Sequence, residues 1–366
     1  MPALTLSILL ALPLHADIYD RLDELPHHLR SGGVPRDGIP AMTNPQAVIP
    51  SEIAYLNDGD LVLGVALNGE ARAYPHSLGW KHEIINDQLG GQYICVTFCP
   101  LTGTGLVFDG TAPDSSQIEL GVSGMLINSN MVMYDRGDED ALYPQMIYAN
   151  IGEKDTGRSL TLMPVVETTW KLWRKMPPHT SIPQAATGLA HYPSYIRALY
   201  TLETYLHYPY GDYRSDHGMI IFDPTTAQPS KKIAAKEMVL GLRAEGASKA
   251  YPFAAMPDRA AINDRLGNRD LLVIFDRHSR TAIPYSRRIG GLTLTFGLLD
   301  RKGDLPLILA DFETGSEWNM LGQAVGGTLI GAQLIQWPAY NSMWFSWSAY
   351  WPQTQLWNGE GILPPP

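Results

Sequence analysis

Residues 62–109 of this chain align without a gap on residues 239–286, and fifteen of the 48 columns are identical. The shared positions include the Val-Leu-Gly starts, Ala-Tyr-Pro, Ile-Asn-Asp and Leu-Gly, all displaced by 177 residues. The match resumes where Trp170, Trp173, Pro178 and Thr180 fall on Trp344, Trp347, Pro352 and Thr354. A sequence written twice specifies one kind of unit twice. The 366 residues are therefore read as two similar lobes, over 59–180 and 236–358, joined by a connector, 181–235. An extended arm, 17–58, precedes the first lobe, and a tail, 359–366, ends the chain.

Within each copy the local signals are mostly those of strands. "DLVLGVALNGEARAYP" is a strand, an Asn-Gly turn and a second strand, which is a hairpin signature. "KHEIINDQLGGQYICVTFC" reads as a second hairpin turning through "NDQLGG", with Asn86 and Asp87 as turn residues bonding their own backbone. "TLTFGLL" in the second copy is a further strand, and the Trp-x-x-Trp segments have helical spacing. The expected fold class is mainly β (α+β): two similar β-rich lobes, each with short helices.

Composition narrows the function classes. Hydrophobic residues make up 45% of the chain and charged residues 17%, enough for a sizeable core. The formal net charge is −10, and no dense Lys/Arg run appears, so nucleic acid is excluded as a partner. Residues 3–14 are almost wholly apolar and Ala16 follows as a small residue, so 1–16 reads as a signal peptide and the protein as secreted or periplasmic. That stretch is shorter than the ~20 residues a membrane span needs, and no other segment qualifies. The partner is then a small molecule or a metal.

The duplication also acts as a filter. Residues shared by both copies serve the fold, and residues present in one copy are candidates for chemistry. His82 aligns with Arg259, Glu83 with Ala260, Cys95 with Leu272 and Cys99 with Asp276, while "PLTGTG" aligns with "RHSRTA". The first copy alone thus holds a histidine, a carboxylate and a thiol around one hairpin. If His82 and Cys99 lie on neighbouring strands, they come within reach of each other.

Three readings of Cys99 stand side by side. In the first, Cys99 and His82 bind copper or zinc, joined by Cys95 on the same strand face and by Met131 or Met133 as a thioether ligand. In the second, the chain is a non-enzymatic ligand-binding or surface protein and Cys99 is packing. In the third, Cys99 is a catalytic nucleophile, His82 its base, and the backbone around Thr102 and Thr104 the oxyanion donors, as in a thiol hydrolase or transferase. Glu83 cannot readily orient His82 from the same strand, because neighbours point to opposite faces. A Cys95–Cys99 disulfide is opposed by geometry: four residues of strand span about 13 Å, and bridged Cα atoms lie within ~7 Å.

Several stretches, "GEARAYP", "KHEIIND", "VTFCPLTGTGLVFD", "GVSGMLINSNMVMYDR", "TTWKLW" and "YPYGDY", together resemble the DUF3179 family of bacterial and archaeal proteins, from about Asp37 to Thr354. The resemblance implies an exported protein and supplies no catalytic residues. Many relatives carry a second cysteine where Thr102 stands here, so a dithiol cycle between positions 99 and 102 is ruled out in this chain. Typical members also have "TGSLW" after "MYDR". Here "GDEDALY" replaces it, while the second copy keeps "TGSEW".

Overall fold

A computed structural model describes residues 18–364 except 54, 178 and 302; the stretch read as a signal peptide lies outside the described residues. Asn68 and Gly69 take φ of 49° and 84°, the left-handed pair that a tight hairpin turn requires. They join β1 (Leu61–Leu67) to β2 (Glu70–Pro75). A short helix, α1 (His76–His82), follows and ends at Glu83, a non-glycine residue at φ 57°. Next comes a meander of β3 (Ile84–Leu89), β4 (Gln92–Cys99) and β5 (Thr104–Asp109). A second meander holds β6 (Leu120–Ile127), β7 (Asn130–Asp135) and β8 (Asp138–Pro144). Finally β9 (Val166–Thr169) pairs back on β1 and runs into α2 (Trp170–Trp173).

The second half follows the same order. β10 (Met238–Ala244) and β11 (Ala247–Pro252) form the hairpin, and β12 (Arg259–Leu266), β13 (Arg269–Asp276) and β14 (Thr281–Ser286) the meander. β15 (Phe296–Leu298), β16 (Ile308–Asp311) and β17 (Glu317–Asn319) form a further sheet, with Ala324–Gly326 as its fourth strand. β18 (Tyr340–Met343) pairs on β10 and leads into α3 (Trp344–Tyr350). Registers agree at the alignment's spacing: Val62 pairs Pro75 as Val239 pairs Pro252, and Ile84 pairs Thr97 as Ala261 pairs Ile274. The structure is strand-rich with few short helices, as expected. Among the described residues no helix is long and apolar enough to cross a membrane.

Asn86 and Asp87 are strand residues, not turn residues, because the chain reverses later, at Gly90 and Gly91. Asn86 bonds the backbone N–H and C=O of Leu120, tying the two meanders together, and Asn263 does the same to Phe296. The carboxylate of Asp87 takes Arg72 and the Tyr74 hydroxyl, as that of Asp264 takes Lys249 and Tyr251.

Packing crosses between the halves. Successive strand residues point to opposite faces. Leu63, Val65 and Tyr74 therefore bury against their own meander, with Ile85, Val96 and Phe98. Val62 and Ala73 face the other way, and with Trp170 and Trp173 they join Leu272, Ile274 and Ile283 of the second half. The second hairpin repeats this: Leu240, Leu242 and Tyr251 pack at home, while Val239, Ala250, Trp344 and Trp347 join Cys95, Leu106 and Phe108 of the first half. Two backbone bonds at equivalent places tie the exchange, Thr169 N–H to Ser279 O at 3.2 Å and Met343 N–H to Thr102 O at 2.8 Å.

The crossing needs room for tryptophan. The Trp173 ring lies on Gly64 and the Trp347 ring on Gly241, so that a Cβ at either glycine would overlap the ring. Each indole N–H is anchored seven residues on, to the hydroxyl of Thr180 or Thr354. Overpacking of this kind typically costs 1–3 kcal/mol. Gly64→Ala and Gly241→Ala are each expected to destabilise by about 3 kcal/mol in urea unfolding. Gly59→Ala, where nothing lies within 4 Å of an added Cβ, is expected to leave the midpoint unchanged.

Candidate functional site

The residues singled out around Cys99 are core residues. Cys95 and Cys99 are both free and buried, on one face of β4. The Cys99 thiol approaches Ser129 O at 3.7 Å and the Cys95 thiol Ile118 O at 3.3 Å. Burial pushes the Cys99 thiol up to about 11, and the Glu83 charge adds to it. Cys95 is pushed up as well, again by burial first. Neither is poised as a thiolate near neutral pH. Met131 and Met133 are fully buried in the same apolar cluster. Thr102 and Thr104 belong to a buried polar layer: Thr104 donates to Thr102 Oγ1 at 2.9 Å, Asn130 donates to Thr102 Oγ1 at 3.0 Å, and Gln145 donates to Thr104 O at 3.1 Å.

His82 is the last residue of α1 rather than part of a strand. Its Nδ1 lies 2.7 Å from Pro40 O and its Nε2 2.7 Å from the Tyr205 hydroxyl. A carbonyl only accepts, so Nδ1 carries the proton and Nε2 accepts from Tyr205. Both nitrogens are used, and neither is left for Cys99. Burial lowers His82 to about 4. Among the described residues no three His, Cys, Asp or Glu side chains stand together as a metal-ligand set.

A different group of residues converges where the halves meet. A cleft of about 460 Å³ is lined by equivalent positions from both: Leu61 with Met238, His76 with Phe253, Gly103 with Arg280, and Glu167 with Asn341. His76 opens α1 and rests its ring against Phe98, at 4.3 Å between centroids. Its Nε2 is 3.6 Å from the Glu167 carboxylate, and the two residues are only 6% and 8% exposed. His76 Nε2 and Asn341 Oδ1 are buried without a hydrogen-bond partner. A side arm of about 220 Å³ shares His76 and holds a third such atom, Ser77 Oγ. Each unsatisfied buried polar atom costs about 1–3 kcal/mol, so three beside one cleft mark a place where something else supplies the partner.

Two arginines stand at the mouth, both solvent-exposed. Arg214 ends a helical turn of the connector, 4.9 Å from the Trp80 ring and 4.2 Å from that of Tyr208. Arg280 sits at φ 54°, in the turn where the first half has Gly103 at φ 63°, and donates to Gly59 O at 2.9 Å. An arginine in a backbone conformation that favours glycine is uncommon and points to a role for the side chain. Burial, with help from both arginines, holds His76 down at about 3. Burial raises Glu167 to about 7, opposed by the Asn341 amide and the Arg280 charge. At neutral pH the cleft therefore holds an uncharged imidazole, a carboxyl near its midpoint and the two arginines at the rim, with Lys236 and Asp212 also in its lining.

A larger hollow, about 700 Å³, opens beyond Arg280 among Asp58, Lys171, Lys175 and Asp304. Its lining includes none of the unpartnered buried polar atoms found among the described residues. We place the site in the smaller cleft for that reason. Sequence reasoning missed these residues, although the same alignment could have found two of them, because His76 aligns with Phe253 and Arg280 with Gly103. Glu167 lies outside the 48 columns, in the run-up to Trp170, where it falls on Asn341.

Fold and cleft together define a strand-rich protein of two interlocked halves with a polar cleft between them. The chain belongs to the DUF3179 family, a protein family of unknown function, which it matches over residues 36–354. There is no match among curated proteins or solved structures.

Glu83 completes the local electrostatics. It is 7% exposed, and it shares with His76 the lining of a hollow of about 10 Å³, room for about one water. Burial alone raises its carboxyl to about 8. Folded Glu83 and Glu167 keep protons that the unfolded chain loses above about 4.5, so both remove stability as pH rises toward 7 and 8. His76 and His82 act oppositely, adding stability as pH rises from about 3–4 to 6.5. Above pH 6.5 only the carboxyls of this set act. Thermal unfolding is expected to show stability falling by about 2 kcal/mol between pH 6.5 and 8, with Glu83→Gln flattening most of that fall. An unchanged slope in Glu83→Gln contradicts the assignment.

Proposed function

We propose that the protein binds a small anionic molecule in the cleft between its halves. The observation that carries this reading is the pair of exposed arginines, Arg214 and Arg280, which line one cleft with the buried, unpartnered His76 Nε2 and pair with no carboxylate among the described residues. Hydrogen bonds to charged groups are worth about 1.5–3 kcal/mol, so each arginine contributes roughly ten- to a hundredfold in affinity. Protonated Glu167 adds a donor to an incoming anion; ionised Glu167 repels it. The copper or zinc reading and the thiol reading of Cys99 and His82 draw less support, since both His82 nitrogens are engaged and the thiol is buried. The apolar stretch 3–14 followed by Ala16 supports a secreted or periplasmic location for this binding.

Arg280→Gly is the informative variant, because glycine suits φ 54° and the fold is expected to be retained. Calorimetric titration with small carboxylates and phosphate is expected to show binding in the wild type and at least a tenfold loss in Arg280→Gly at unchanged melting temperature. Affinity is expected to fall as pH rises through about 7, and Glu167→Gln is expected to abolish that dependence. Binding untouched by Arg280→Gly contradicts the proposal. For location, mass spectrometry of cell fractions is expected to find the chain outside the cytoplasm and lacking residues 1–16. A full-length cytoplasmic chain contradicts that part.

A further inference from the structure

Anion recognition accounts for the mouth of the cleft and leaves its apolar wall unused. Arg214 and Arg280 stand where the main cleft joins the side arm, whereas Met238, Phe253 and Met343 line the main cleft only. Met238 and Phe253 are half-buried, and the Met238 and Met343 methyl groups approach within 3.4 and 3.8 Å of where a Cβ on Gly103 would stand. Two thioethers and a phenyl ring make an adaptable apolar surface. A bare inorganic anion, no larger than about two or three waters of ~30 Å³ each, leaves most of 460 Å³ unfilled. Apolar side chains lining a cleft of this size call for an apolar ligand body.

The orphaned atoms add a second requirement. Asn341 Oδ1 only accepts hydrogen bonds, so its partner is a ligand O–H or N–H. Building on the anion-binding reading above, we propose that the ligand is an amphiphilic organic acid. A single carboxylate lies at Arg214 and Arg280, a hydroxyl or amide N–H next to it bonds Asn341, and an aromatic or branched body packs on Met238, Phe253 and Met343. One negative charge suits the site better than two, because Glu167 stands in the same cleft and repels a dianion once ionised.

The test is calorimetric titration of the full chain at pH 6 with 3-phenyllactate, 3-phenylpropanoate, lactate, inorganic phosphate and 2-phenylethanol. 3-Phenyllactate is expected to bind at least tenfold tighter than lactate, phosphate and 2-phenylethanol, and several-fold tighter than 3-phenylpropanoate. Phe253→Ala is expected to weaken 3-phenyllactate about tenfold with lactate unchanged. Phe253→Leu, which preserves the packing against Phe275, is expected to weaken it less. If phosphate or lactate binds as tightly as the phenyl acids, the amphiphilic ligand is wrong and the anion site stands. If 3-phenylpropanoate equals 3-phenyllactate, the role given to Asn341 is wrong. If 2-phenylethanol equals 3-phenyllactate, or if no compound binds at millimolar concentration, both the ligand class and the anion site are overturned.

Discussion

Each hairpin sheet in this protein is buried on both faces, and the two faces belong to different halves. β1 and β2 press Leu63, Val65 and Tyr74 onto their own meander, and Val62, Ala73 and the Trp173 ring toward the other. β10 and β11 do the same in reverse. Strands buried on both faces carry nearly continuous apolar runs, which is what "LVLGVAL" and "MVLGLRA" are. The arrangement holds because Gly64 and Gly241 leave room for an indole ring.

The cleft is a consequence of that exchange. Where two similar halves cross, equivalent residues meet at the crossing, and identical residues there would give a symmetric seam. Here the pairs differ: His76 takes the position that Phe253 has in the second half, Glu167 that of Asn341, and Arg280 stands in the place of Gly103. One partner of each pair is charged or titratable. The polar character of the cleft thus comes from the few aligned positions, lining it, at which the two halves carry different residues. The Asn-Asp pairs deeper in each half, which tie hairpin to meander, stay the same.

Much of the fold was legible in the sequence. Asn68-Gly69 announced the first hairpin, the Trp-x-x-Trp spacing announced α2 and α3, and the 177-residue offset anticipated equivalent registers. The short helix α1 was not legible. Its seven residues contain a glycine, and they are helical because Gly79 packs on Phe98 and Leu78 is buried, which are tertiary facts. Reading that stretch as strand set His82 beside Cys99, while the helix takes it to Pro40 and Tyr205. The candidate site was half legible. The comparison of the copies led to His82 and Cys99 and passed over His76 and Arg280, which differ between the copies in the same way, because only packing shows which of them lack partners. The crossing itself leaves no mark in either copy, because an apolar face reads the same whichever half covers it.

Interlocking is the claim on which the fold and the cleft both rest, and fragment complementation tests it most directly. Residues 18–235 and 236–364 would be expressed separately and compared, alone and mixed, by near-ultraviolet circular dichroism and thermal melting. The account predicts that neither fragment alone shows a fixed aromatic signal or a cooperative melt, since each exposes the tryptophan face that the other covers. It predicts that mixing them restores both. A single fragment that melts cooperatively with a native-like aromatic signal would show that the halves are independent lobes and that the crossing is not what holds them together.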